Sequence, residues 1–331
     1  MDNTIGGTLE FYSSGNNTLS STNNLRTTIT NDLNYGSPNF ISNIGFVNNF
    51  NLYFKNLNSQ GKNDSIYTPS AQIDGMSIVK IDTKFPLSKS KDSTKETLTP
   101  KISFRINPGN NMNDYSESSS VINASGAFDI NRLGIGDSFE AGKSLTFGLD
   151  YKFDQVELDG NEDTKDKFLE FQLATVIRDQ KENDIPVSST INRKNSNLFG
   201  SINNQLFDNI NFIYDFSLDN NMKTVDSHTL KTEISINNFV TTFDFMEQRH
   251  EIGSTHLLSN ITEYKVNDNN SFKFSTRRNK EINLTEFYNL SYEYKNDCLT
   301  AALKFNKTFY KDNDLVPGED LFFSITIVPL T

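Results

Sequence analysis

Residues 144–153, SLTFGLDYKF, alternate apolar and polar side chains without a break. The apolar positions are Leu145, Phe147, Leu149, Tyr151 and Phe153, and the positions between them hold Ser, Thr, Gly, Asp and Lys. Successive side chains of a β-strand point to opposite faces. The segment therefore predicts a strand with one apolar and one polar face.

The same alternation recurs along the chain, most regularly at residues 102–106, 169–173, 210–217, 230–236, 239–245, 272–275, 288–294, 299–305 and 321–327. We count roughly sixteen or seventeen strands, most near the ~9–11 residues of a tilted membrane strand. Turn clusters of Asn, Asp, Gly and Ser separate them, and short and long connections alternate toward the C-terminus. This asymmetry is typical of an antiparallel outer-membrane β-barrel. No helix and no repeat of fixed length is indicated.

Composition excludes several classes of protein. The 331 residues include 31 basic and 42 acidic side chains, a net charge of −11, which argues against nucleic-acid binding. No apolar run approaches the ~18–20 residues of a membrane helix. The N-terminus lacks the basic and apolar regions of a signal peptide, so we expect either a cytosolic chain or one that begins downstream of its export signal.

A soluble β-sandwich or adhesin would also alternate. Two features favour the membrane barrel over it. Apolar residues make up only 35% of the chain. Charges also stand in mid-strand on the polar face, as a water-filled lumen requires: Asp150, Glu170, Asp215, Lys231, Glu233, Asp244, Lys273, Glu293 and Lys304.

Two stretches carry a family resemblance. Residues 284–330, LTEFYNLSYEYKNDCLTAALKFNKTFYKDNDLVPGEDLFFSITIVPL, resemble the C-terminal end of LptD, the lipopolysaccharide-assembly outer-membrane family: an aromatic strand, a turn with cysteine, and a final apolar strand. Residues 125–153 are similar to a family loop and strand whose positions here are Phe128, Asn131, Arg132, Gly136, Asp137, Glu140 and Gly142. The family usually has a basic residue after the Gly-Asp step, where this chain has Ser138.

The resemblance implies a very large barrel that transports rather than catalyses. Lipopolysaccharide (LPS) would enter the outer leaflet through a seam between the first and last strands, while its sugars pass through the lumen. The implied partners are LPS, a plug lipoprotein in the lumen (LptE-like) and a periplasmic bridge protein. We expect residues 1–331 to form one incomplete barrel domain, without the family's N-terminal jellyroll and first strands.

The resemblance also assigns two kinds of site residue. Residues 319–330 would form the last strand and one lip of the seam, with Leu321, Phe323, Ile325 and Ile327 on its outer face; the other lip would lie outside this chain. An ordinary closing strand is the alternative. Cys298 would form a disulfide with the absent N-terminal region, the alternative being a free buried thiol.

No catalytic, metal or cofactor site is expected. His228, His250 and His256 raise the alternative of a rim hydrolase, because some outer-membrane barrels carry a Ser/His/acid site. The chain has no nucleophile motif such as G-x-S-x-G. A porin-like channel and a soluble adhesin remain the alternatives to LPS assembly.

Overall fold

The computed structural model describes residues 6–21, 23–91, 93–109, 112–155, 167–249, 252–309 and 317–327. Within these ranges the chain forms eighteen β-strands and two single-turn 3-10 helices, Gly126–Phe128 and Val187–Ser189. In the same ranges, no helix is long and apolar enough to cross a membrane. The strands are β1 (Thr8–Ser20), β2 (Asn24–Gly36), β3 (Phe40–Ile41), β4 (Val47–Lys62), β5 (Gln72–Lys84), β6 (Leu87–Lys91), β7 (Thr94–Asn107), β8 (Gly142–Gln155), β9 (Lys167–Arg178), β10 (Leu198–Phe207), β11 (Ile210–Leu218), β12 (Val225–Ile236), β13 (Phe239–Gln248), β14 (Thr255–Asn267), β15 (Asn270–Asn279), β16 (Leu284–Lys295), β17 (Leu299–Thr308) and β18 (Gly318–Ile327).

All strands belong to one antiparallel meander. Apart from the short β3 and β6, each strand pairs with its sequence neighbours on both sides, from β1 with β2 to β17 with β18. The predicted all-β antiparallel fold is confirmed.

Prolines explain the two short strands. Pro38 separates β2 from β3, and both pair with β4; Pro86 separates β5 from β6, and both pair with β7. Proline cannot donate to a β-ladder and interrupts it. If β3 is counted as the continuation of β2 and β6 as that of β5, the eighteen described strands cross the sheet sixteen times. This even number agrees with the predicted sixteen or seventeen strands.

The connections differ between the two ends of the sheet. One end, the long-loop end, holds the connections 63–71, 108–141, 179–197 and 309–317. The opposite end, the short-turn end, holds two- and three-residue turns at 208–209, 237–238, 268–269 and 296–298. Residues 156–166, between β8 and β9 in the chain, lie outside the described ranges. The start of β1 and the end of β18 both lie at the short-turn end, as in outer-membrane barrels.

Burial on the two faces is the reverse of that in a soluble protein. On β8, Leu145 and Phe147 are 37% and 41% exposed, whereas the neighbouring Ser144 and Thr146 are 3% and 2% exposed. Soluble monomers rarely expose a contiguous apolar surface of this kind. A wall with lipid outside and packed polar groups inside accounts for both observations.

The meander is not closed in the described residues. β1 pairs with β2 along one edge and β18 with β17 along its own, and no pairing joins β1 to β18 in those ranges. Every residue of both strands is exposed. An unpaired strand edge cannot face lipid, because its N–H and C=O groups find no partners there.

Candidate functional site

The register places the predicted lumenal charges on one face. Lys231 pairs with Asp244, Glu263 with Lys273, and Glu293 with Ala302, in rows that continue across β12 to β17. We call this face the lumenal face and the opposite one the outer face. The lumenal row contains each of the nine mid-strand charges predicted from the sequence.

Two long connections lie against the lumenal face. Residues of 108–141 and 179–197 pack with β9 and β10 in one apolar cluster: Met112, Ile122, Ala124, Ala127, Leu133, Ala141, Ala174, Val176, Ile185, Ile191 and Phe199. Val176, Ile185 and Ile191 are completely buried. We call this pair of connections the internal plug, because it fills space that an open pore would leave to water.

Arg132 and Glu140 of the loop motif form a buried ion pair within the internal plug. Arg132 Nε donates to Glu140 Oε2 at 2.9 Å, and its Nη2 donates to Glu140 Oε1 at 2.5 Å. Arg132 also reaches the wall, with Nη2 2.8 Å from Ser144 Oγ and Nη1 3.2 Å from Thr146 Oγ1, both on β8. This bidentate geometry is the strong form of an Arg–carboxylate contact.

Two further arginines converge on Glu140 from the wall. Arg178 of β9 donates to the Glu140 carboxylate and to the Ala141 carbonyl. Arg105 of β7 donates through Nη1 to the Glu140 carbonyl at 2.9 Å. Glu140 thus links the internal plug to two arginines of the wall, and all three arginines around it are at most 7% exposed. We call these four residues the arginine cluster.

Burial and charge act in opposite directions on Glu140. Burial opposes ionisation of its carboxyl group, but the three arginines outweigh it and lower the pKa to about 2. The cluster holds three positive charges and one negative charge. A second carboxylate, that of Glu182, lies 4.0 Å from Arg178. Arg105 Nη2 and Arg178 Nε have no hydrogen-bond partner among the described atoms.

Asp137 joins the internal plug to a different strand pair. The hydroxyl groups of Tyr67 and Tyr115 both donate to its carboxylate. Burial, and then this hydrogen bond to Asp137, raise the pKa of both tyrosines. The next aromatic residue, Phe139, packs in a second cluster with Leu57, Tyr67, Met76 and Ile78, so the plug also contacts β4 and β5.

The remaining motif residues have local roles. Phe128 lies under the Lys101 ammonium group, with the nitrogen 4.2 Å from the ring centroid. Asn131 Nδ2 donates to the Ile135 carbonyl at 2.9 Å and closes a turn. Gly136 has open space where a Cβ would lie, and the structure gives no reason for glycine there. Ser138 is fully buried, and its hydroxyl has no partner among the described atoms.

Gly142 occupies a position that only glycine fits. Its φ is +81°, and an added Cβ would lie 2.6 Å from Glu182 Oε1 and 2.9 Å from Arg178 Nη2. Positive φ is costly for residues with a Cβ. Gly142 therefore allows Arg178 to approach the backbone at the start of β8.

The last strand presents the predicted apolar row. Leu321, Phe323, Ile325 and Ile327 pair with Phe305, Leu303, Ala301 and Leu299 of β17, all on the outer face. These four β18 residues are 55–74% exposed. The structure describes the strand as Gly318–Ile327, so the predicted positions 328–330 lie outside the described residues.

Cys298 lies at the short-turn end, in the turn between β16 and β17. The Asn296 side chain shapes this turn by accepting from the Cys298 and Leu299 amides at 3.0 and 2.8 Å. The thiol is free and partly exposed. The end of β18 lies at the same end of the sheet, because β17 leads away from this turn and the antiparallel β18 returns toward it.

The two described histidines, His228 and His256, lie among aromatic and acidic side chains of the outer face. The His228 ring nitrogens face the Tyr214 hydroxyl at 3.5 Å and the Glu247 carboxylate at 2.9 Å, on the outer face. His256 packs edge-on against Phe245 in the same row. This arrangement resembles the aromatic girdle of a membrane strand. His250 lies outside the described residues.

Sequence reasoning did not predict the wall partners of the loop motif. The sequence pattern connects neither Arg105 nor Arg178 with the loop motif. Each lies on the lumenal face near the long-loop end of its strand. Their position near the long-loop end was the one sign in the sequence that they could meet the loop motif. Glu140 lies 35–38 residues away from them in sequence, so the contact itself can be identified only from the fold.

Comparison with known proteins adds a family match. Residues 6–254 match the family model described as "LptD: LPS transport system D". This range contains the loop motif at 125–153 but not the C-terminal stretch 284–330. No curated protein matches the chain.

Solved structures that resemble the chain include porin variants from Rhodopseudomonas blastica. A triple mutant is 9% identical with a TM-score of 0.33, and another variant is 10% identical with a TM-score of 0.34. Each alignment covers 91% of this chain and 95% of the porin.

Proposed function

The chain belongs to the LptD family of LPS transport system D proteins, and from this premise we propose that it inserts LPS into the outer leaflet through an opening at β18. Its place is the outer membrane, and its general role is LPS transport. The observation that carries the proposal is the family match over more than half of the chain. The exposed apolar outer face and the charged lumenal face support it.

The exit would lie at the β18 edge. Interior strands of the sheet are held by ladders on both sides, whereas β18 is paired only with β17 among the described residues. An amphipathic lipid can leave the lumen sideways only where such ladders are absent or weak. The apolar row Leu321, Phe323, Ile325 and Ile327 would contact the acyl chains as they pass.

We infer further that this sheet is part of a larger barrel. Both β1 and β18 have edges without a partner in the described residues, and lipid cannot satisfy them. Additional strands pairing with β1 would satisfy one edge and would provide the second lip of the seam. A jellyroll domain before them would receive LPS from the periplasmic bridge protein.

The plug lipoprotein would bind the uncovered part of the lumenal face. The internal plug packs against β4, β5 and β7 to β10. The lumenal charges of β12 to β17, including Lys231, Asp244, Lys273 and Lys304, lie beyond its two apolar clusters. A partner with complementary charges fits this surface.

Cys298 is expected to form a disulfide with the N-terminal domain in the full protein. The short-turn end would face the periplasm, where disulfides persist. Protein extracted from cells should migrate differently with and without reductant on denaturing gels, and Cys298→Ser should remove the difference. Quantitative alkylation of the thiol without reductant would instead identify Cys298 as a free cysteine.

Depletion of the protein from its cell tests the function itself. We expect newly made LPS to disappear from the cell surface, measured with an antibody on intact cells, and re-expression to restore it. Solute uptake by liposomes that contain the protein distinguishes a porin-like channel from an LPS transporter. Normal surface LPS together with fast solute uptake would identify a channel and contradict the proposal.

A further inference from the structure

The long-loop end carries a polar extension of the sheet beyond its apolar outer band. Residues 13–20, SSGNNTLS, form the end of β1, and residues 24–31, NLRTTITN, form the start of β2. On the outer face, β1 changes from Leu9 and Phe11 to Ser13, Gly15 and Asn17, with one further apolar residue, Leu19, at its end. On β8, by contrast, the outer row is apolar from Leu145, near the long-loop end, to Phe153. This extension therefore belongs in the polar zone of the leaflet rather than in hydrocarbon.

A groove of about 520 Å³ lies on the extension. Its lining includes Asn16, Thr18, Asn24, Arg26, Asn63 and Asp64. Thr18 and Arg26 are register partners, which places the groove on the same face as the Arg26–Asp64 contact. Amides, hydroxyls and one Arg–Asp pair dominate the lining. The volume of the groove lies in the range that is usual for small-molecule sites.

The charges of the groove neutralise one another. Arg26 Nε donates to Asp64 Oδ2 at 2.8 Å, and Nη2 donates to Oδ1 at 3.2 Å. The hydrogen bond from Arg26 lowers the pKa of Asp64 to about 2, assisted by the Tyr67 and Ile66 amides. A phosphate would have to compete with this carboxylate for the arginine, so the groove favours neutral ligands.

The groove floor is also positioned by the internal plug. The Arg26 guanidinium lies 5.5 Å from the centroid of the Tyr67 ring, and Tyr67 donates to Asp137. An arginine fixed by a carboxylate and an aromatic ring presents its remaining N–H groups in a defined direction. Sugar hydroxyls, which both donate and accept, suit such a surface of amides and guanidinium.

We propose that this groove binds uncharged hexose units of an oligosaccharide. The assignment of that oligosaccharide to the saccharide part of LPS rests on the proposed function. The groove then acts as a contact point for sugars at the lumen exit, separate from the β18 edge where the lipid would leave.

Binding of a neutral probe tests this directly. The full chain, folded in detergent micelles, is titrated with a neutral oligosaccharide of hexose units, and binding is followed by ligand-observed NMR. We expect saturable binding that the double variant Asn16→Ala/Asn24→Ala weakens about 25-fold, since each lost hydrogen bond is worth roughly a factor of five. Inorganic phosphate should not compete.

Asn17→Ala is the matched control, because Asn17 is the next residue on β1 but points to the outer face. It should bind the oligosaccharide as the wild type does. Equal binding by the double variant, no binding by the folded wild type, or displacement by phosphate would each overturn the proposal. Surface LPS in depleted cells reports on the proposed function separately, so that the two can fail independently.

Discussion

Glu140→Gln is expected to lower the free energy of unfolding by about 3–5 kcal/mol and to release the internal plug from the wall. The substitution leaves Arg105, Arg132 and Arg178 buried without their shared counter-charge. Removing one partner of a buried ion pair costs far more than the pair itself contributes, because the remaining charges stay desolvated. The apolar contacts of the plug would have to offset that cost alone.

Thermal unfolding by circular dichroism measures the stability, and limited trypsin digestion measures plug release. Cleavage at Lys181 and Lys194, in the connection 179–197, should accelerate in Glu140→Gln. Glu182→Gln is the control, since Glu182 lies 4.0 Å from Arg178 and is more exposed. Glu182→Gln should lower the free energy of unfolding much less than Glu140→Gln does. Equal stability of Glu140→Gln and wild type would show that the arginine cluster does not hold the plug.

The same carboxylate predicts a pH dependence. Its pKa in the folded protein is about 2, below its ordinary value of 4.5. The ionised form therefore stabilises the fold fully above about pH 4.5, and this contribution is lost as the pH falls through 2. The stability difference between wild type and Glu140→Gln should shrink across that window.

Much of the wall could be predicted from alternation alone. The apolar row of residues 144–153 lies on the outer face, and mid-strand charges such as Lys273 lie on the lumenal face. Period-two patterns fix side-chain direction locally, without tertiary information. The interruptions at Pro38 and Pro86 were also readable in principle, because proline cannot donate to a ladder, although Pro100 is accommodated within β7 opposite Leu149.

The internal plug could not be derived in the same way. Polar connections such as 108–141 look like ordinary surface loops, and nothing periodic shows that they fold back onto the wall. The family resemblance singled out Arg132 and Glu140, but not that they meet each other and Arg178. Such contacts depend on three-dimensional packing, which the sequence pattern does not encode locally.

The second large effect is expected at the β18 edge, in the contact of this strand with LPS during transport. If lipid leaves there, both faces of β18 contact LPS in transit, sugars on one side and acyl chains on the other. Ser324 lies on the lumenal face and Phe323 on the outer face. On β16, which is paired on both sides, Ser291 is lumenal and Leu290 is outer, which makes a matched control pair.

The most direct test is photocrosslinking in living cells that make the full protein. A benzophenone amino acid replaces Ser324, Phe323, Ser291 or Leu290 in turn, and LPS attached to the protein is measured after irradiation. We predict strong capture at both β18 positions and, on the outer face, several-fold more at Phe323 than at Leu290. Equal capture at Phe323 and Leu290, or none at β18 while Ser291 captures LPS, would contradict lateral exit at this strand.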